Sequence, residues 1–84
     1  MTFDEAKKFL EQADYSSLAD HTFGDTEFGW TLDGKYIADG YHSSRRDTCR
    51  VTIFGADTRF EGNEAKLLMG VGKTRHYARN DGEP

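Results

Sequence analysis

Phe28, Trp30 and Leu32 alternate with Gly29 and Thr31 and run directly into Asp33-Gly34. Alternation at period two places three large apolar side chains on one face of a strand. Asp-Gly favours the φ > 0 conformations of a two-residue type I′ turn, whose twist suits a hairpin. The spacing therefore predicts a hairpin in which Thr31 faces Tyr36 and Trp30 faces Ile37, so that Phe28, Trp30, Leu32 and Ile37 look inward. Gly40, near the end of the returning strand, reads as a bulge or as the strand's end. His42 to Asp47 is polar and short enough to link antiparallel strands. Thr48 to Phe54 then alternates again, with Cys49, Val51 and Ile53 on one side and Arg50 and Thr52 on the other, as a third strand.

An apolar sheet face needs cover, and two segments read as helices. Thr2-Phe3-Asp4-Glu5 fits a capping box, and Phe3, Ala6, Phe9, Leu10 and Ala13 follow at helical spacing, ending near Ala13 or Asp14. Asn63, or an earlier start at Thr58, opens a second helix with Ala65, Leu68 and Met69 inward and Gly70 and Gly72 closing it. Tyr15 to Thr26 is rich in Ser, Asp and Gly and reads mostly as connection, with a short strand around His21–Phe23. Arg59-Phe60 is a brief fourth strand or the approach to the helix, and Lys73 to Asn80 is a frayed tail or an edge strand. The expectation is a single α+β domain over residues 1–80. It is a two-layer sandwich in α-β-β-β-α order, its three-stranded antiparallel sheet covered by two helices, followed by a disordered tail at 81–84.

A chain of 84 residues buries only about 60–65% of its unfolded surface, so its rings must supply much of the core. There are six Phe, four Tyr and one Trp, and with that many a net charge of −4 does not indicate disorder. Cys49 stands alone and cannot form an internal disulfide. The start MTFDEAKKF lacks a signal-peptide pattern, and no apolar run approaches the ~18–20 residues that cross a bilayer. These features point to a cytoplasmic protein with no membrane contact.

Motifs for chemistry do not assemble. His21, His42, Cys49 and His76 lack the paired spacings of a zinc site, and Cys49 shares a strand face with Val51 and Ile53, as a small hydrophobe would. Ser43 and Ser44 beside His42 form a turn sequence rather than a nucleophile and base. Gly70-Val71-Gly72-Lys73-Thr74 looks like the end of a phosphate loop but follows a helix, where such a loop precedes one. Paired carboxylates such as Asp25 with Glu27, or Asp57 with Glu61, carry no specific acid–base signal. No cofactor and no catalytic constellation is expected.

Charge is uneven: residues 1–41 hold nine acids and three bases (net −6), and 42–84 hold six acids and eight bases (net +2). The basic half, together with Tyr41 at its border, interleaves rings with cations. Tyr41, His42, Arg45, Arg46 and Arg50 form one group, and Lys73, Arg75, His76, Tyr77 and Arg79 a second. Arginine beside an aromatic ring grips phosphate and stacks on bases. The α-β-β-β-α order, with Glu64-Ala65-Lys66, resembles double-stranded-RNA-binding domains. That family places lysines at the start of its last helix, where this chain has Glu61, Asn63 and Glu64, so no site residue carries over. The leading expectation is a small noncatalytic module that binds a protein partner by a sheet edge or the arginine-bearing loop. Its tentative binding residues are Tyr41, His42, Arg45, Arg46, Arg50, Arg75 and His76. A nucleic-acid-binding domain is the alternative, and a small-molecule enzyme without a recognisable motif is the third reading.

Overall fold

The computed structural model describes residues 1–20 and 23–79. In chain order the elements are α1 (Phe3–Glu11), β1 (Asp14–Asp20), β2 (Asp25–Leu32), β3 (Lys35–Ser43), β4 (Thr48–Ile53), β5 (Thr58–Glu61), α2 (Gly62–Leu68) and β6 (Thr74–Arg79). All six strands join one sheet in the order β5-β4-β3-β2-β1-β6, antiparallel except for the parallel β1–β6 pair. The molecule is thus mostly sheet, which corrects the expected three-stranded sandwich. The resemblance to double-stranded-RNA-binding topology disappears with the α-β-β-β-α order. The expected strand at His21–Phe23 and the expected tail at 81–84 fall wholly or largely outside the described residues.

The β2–β3 hairpin forms as the Asp-Gly signal predicts, with positive φ at both Asp33 (54°) and Gly34 (78°) and Thr31 opposite Tyr36. The next pair is different. Trp30 sits opposite Ala38 rather than Ile37, because β3 carries one extra residue there. A bulge of this kind turns over every following side chain. Without it Asp39 would lie opposite Phe28 in the core; with it Gly40 takes that place and Asp39 is exposed. Gly40 is therefore neither a bulge nor an end. A Cβ there would collide with the Phe28 ring and approach the Arg50 carbonyl to 2.5 Å, so the strand needs glycine to let the ring lie flat across it.

Three strands lie where the residues carry weak β patterning. β1 occupies the stretch read as connection, and only Tyr15 of its seven residues is buried. It is a strand because β2 and β6 pair along its two edges. The amide of Lys73 donates to the Ala13 carbonyl at 2.7 Å, which starts the parallel register that makes 74–79 an edge strand rather than a tail. At the opposite edge β5 runs straight into α2.

α1 begins with the predicted capping box: the Glu5 amide donates to the Thr2 hydroxyl (3.2 Å), and the Thr2 amide donates to Glu5 Oε1 (2.8 Å). It ends at Gln12, slightly before the expected limit. α2 starts with Glu61 at its N-cap position and no side-chain cap, so neither Asn63 nor Thr58 plays that part. A helix of two turns is marginal by itself and depends on packing. Ala65 and Leu68 supply it, and Lys66 ties α2 to the 44–47 turn through Asp47 at 2.8 Å.

Both helices contribute to one core on one face of the sheet. Ala6 and Leu10 of α1 and Ala65 and Leu68 of α2 join Trp30, Ala38, Val51 and Ile53 in a single buried cluster, and Phe3 meets Phe60 edge-on at 5.9 Å. A row of rings crosses that face, with Phe28–Trp30 at 5.6 Å, Trp30–Tyr15 at 5.3 Å and Tyr15–Tyr77 at 6.0 Å. The indole N–H of Trp30 donates to the Val71 carbonyl at 2.5 Å and pins the segment between α2 and β6 over the core. Among the described residues no helix is long and apolar enough to cross a membrane.

Candidate functional site

Strand alternation sends every second side chain to the sheet face opposite the helices. Register aligns Leu18, Glu27, Tyr41, Arg50 and Glu61 in one row across β1 to β5. Beside it runs a second row, Ser16, Gly29, Asp39, Thr52 and Arg59. Tyr36 lies over Gly29, which has no side chain to fill the space. Together these leave a shallow concavity of about 510 Å³ lined by Ser16, Leu18, Glu27, Tyr36, Asp39, Tyr41 and Arg50. Leu18 is 40% exposed and Tyr36 60%. Charges of both signs ring the two tyrosines, and the Arg59–Glu61 pair at 3.6 Å is too exposed to contribute much stability.

The predicted binding residues divide among three places. Tyr41 and Arg50 are cross-strand partners on this bare face. Tyr41, Arg46 and Arg50 also border a second hollow, of about 540 Å³, where the 44–47 turn meets Glu61 and Gly62. Arg45 lies exposed in the same turn. His42 is opposite Cys49 on the helix side, half-buried. Arg75 and His76 belong to β6, four inter-strand spacings or about 19 Å from β4, so the two basic groups do not form one surface. Within β6 they point to opposite faces, and Arg75 Nε donates to the Gly70 carbonyl.

Glu27, Asp39, Tyr36 and Leu18 are not among the binding residues that the sequence suggests. Glu27 was legible as the outward position of the β2 alternation. Asp39 and Leu18 depended on the bulge and on β1, which no local pattern announces.

Other reactive groups serve the fold. Cys49 is buried with its Sγ 3.4 Å from the Met69 sulfur, and burial pushes its thiol pKa up, which disfavours the thiolate that a nucleophile needs. The Lys66 ammonium holds the Asp47 carboxyl below its usual range, and Asp47 raises Lys66 in return. Neither His42 nor His76 lines the concavity that holds Glu27 and Asp39, so among the described residues no histidine and carboxylate converge there. Among the described residues no three His, Cys, Asp or Glu side chains gather as a metal site would require.

A scan of family models, a search of curated proteins and a search of solved structures each gave no match. The site's own geometry is what bears on function.

Proposed function

We propose that this chain is a noncatalytic interaction module that docks a protein partner on the bare face of its sheet. The carrying observation is the row Leu18–Glu27–Tyr41–Arg50 beside Tyr36, apolar and aromatic groups framed by charges of both signs on a paired sheet. Aromatic and arginine side chains dominate protein interfaces, and mixed charge fixes orientation rather than attracting any one polyanion. The concavity is open, which suits a protruding side chain of a partner better than an enclosed substrate. A cytoplasmic setting belongs to the same proposal, supported by the single free thiol of Cys49.

Nucleic acid is the second reading, favoured by the Tyr41–Arg50 pair. Glu27, Asp39 and Glu61 around it repel phosphate, so it ranks lower.

A photo-crosslinking residue placed at Tyr41 is expected to capture a discrete partner in the native cytoplasm that the same probe at Lys7, on the outer side of α1, does not. Arg50→Glu should abolish that capture. Equal labelling from both positions, or an uncrosslinked monomer across a range of salt, would refute the proposal.

A further inference from the structure

The sheet has two edges, and they are built differently. β5 is four residues long, carries the Arg59–Glu61 pair and passes at once into α2, so little of its edge is offered. β6 is six residues long and, among the described residues, pairs with β1 along one side only, which leaves a row of backbone donors and acceptors on the other. Cations on an edge strand are a common guard against self-association, and residues 73–79 hold Lys73, Arg75 and Arg79 with no acid. A guard alone does not explain Tyr77. Its side chain is 66% exposed, and its ring continues the buried aromatic row from Trp30 through Tyr15 to the margin of the sheet, where the row stops uncovered. An added strand would place a side chain directly across from Tyr77 and the next same-face side chain across from Arg75. The Nε bond from Arg75 to the Gly70 carbonyl orients that guanidinium while using one of its five N–H donors.

We infer that the free edge of β6 accepts an extended acidic peptide as a seventh strand, with an apolar side chain of the peptide on Tyr77 and a carboxylate two residues away on Arg75. Main-chain hydrogen bonds supply the affinity of such an added strand, and alternate side chains supply its selectivity. A second copy of the chain is the poorer occupant, because two β6 strands brought edge to edge set cation against cation. This surface is separate from the bare sheet face and stands whether or not that face binds a protein.

The test uses the whole chain, isotope-labelled, and a synthetic peptide in which glutamates at alternate positions flank a central phenylalanine, with threonine elsewhere. Amides of residues 74–79 are expected to shift, and the alternate ones that face away from β1 to gain protection from exchange. Arg75→Glu should weaken binding about tenfold, and a lysine-for-glutamate peptide should then prefer the variant to the parent chain. Tyr77→Ala, at a position 66% exposed, should remove the preference for phenylalanine over threonine at the centre of the peptide, with the unchanged amide shifts of β1 and β2 showing that the sheet is intact. Shifts confined to the bare face, no shift in any β6 amide, or equal binding of the lysine peptide by the parent chain overturns the inference. So does a dimer whose interface maps to β6 and excludes the peptide. Loss of the Tyr41 cross-link would leave these outcomes unchanged, so the two proposals fail separately.

Discussion

The two faces of this sheet use the same strands for opposite purposes. In β4, Cys49, Val51 and Ile53 are buried beneath the helices, while Arg50 between them lies exposed on the far side. In β2, Phe28 and Trp30 are buried and Glu27 is exposed. The helix side is a packed interior in which any change of volume is felt, whereas the bare side has charged and aromatic tips free to meet something else. Stability is therefore concentrated on one side and chemical variety on the other, and substitutions should divide the same way.

The largest effect is expected at Trp30, which is fully buried and bonds Val71: Trp30→Ala should lose about 3–5 kcal/mol in chemical denaturation. A loss under about 1 kcal/mol would mean that the helix side is not the stabilising one. Gly40 and Gly29 sharpen the contrast, since each is a β-strand glycine with a ring across it. Gly40→Ala meets the Phe28 ring and the Arg50 backbone on the packed side, and should destabilise by about 1–3 kcal/mol. Gly29→Ala presses at 2.9 Å on the exposed Tyr36 ring and meets the Ala38 carbonyl at an ordinary 3.6 Å.

Tyr15 tests the packed side by pH. Burial, with the nearby Tyr77 adding to it, pushes its phenol from 10.0 up to about 12. A raised folded pKa means that the stabilisation is complete below the unfolded value and is lost as pH climbs from about 10 through about 12. Melting temperature should fall across that window, and Tyr15→Phe should flatten the fall. At low pH the sign reverses: the Thr2 bonds hold the Glu5 carboxyl below its ordinary value, so the cap's contribution is present above the unfolded pKa and fades as pH drops through the folded one. Thr2→Ala should lower stability by about 1 kcal/mol at neutral pH and return the Glu5 titration, followed by NMR, toward the ordinary carboxylate range. The smallest effects belong to the bare face. Gly29→Ala and Tyr41→Ala should each change stability by no more than about 0.5 kcal/mol, and a larger loss at Tyr41 would show that it is structural.

What the residues make legible is what local physics controls. The hairpin turn needs positive φ at two successive positions, and Asp33-Gly34 declares it; the first helix declares itself through Thr2 and Glu5. The inward sets at 28 and 30 and at 49, 51 and 53 follow from alternation alone. The candidate site was half visible. Tyr41 and Arg50, two members of the first basic group, are cross-strand partners, whereas three strands separate β4 from the Arg75 and His76 of the second group, a distance that charge pattern alone does not reveal.

Sequence by itself determined that two strands would meet at Asp33-Gly34, which side of them would be oily, and where α1 would start, because each rests on dihedral and periodic preferences within a few residues. Only the tertiary structure decided that Asp14–Asp20, Thr58–Glu61 and Thr74–Arg79 become strands, that a bulge at Ile37 carries Asp39 out of the core, and that β6 closes the sheet in parallel beside β1. Those segments lack a strong preference of their own. Their conformation is set by backbone hydrogen bonds to neighbours far along the chain, and those bonds exist only once the sheet has formed.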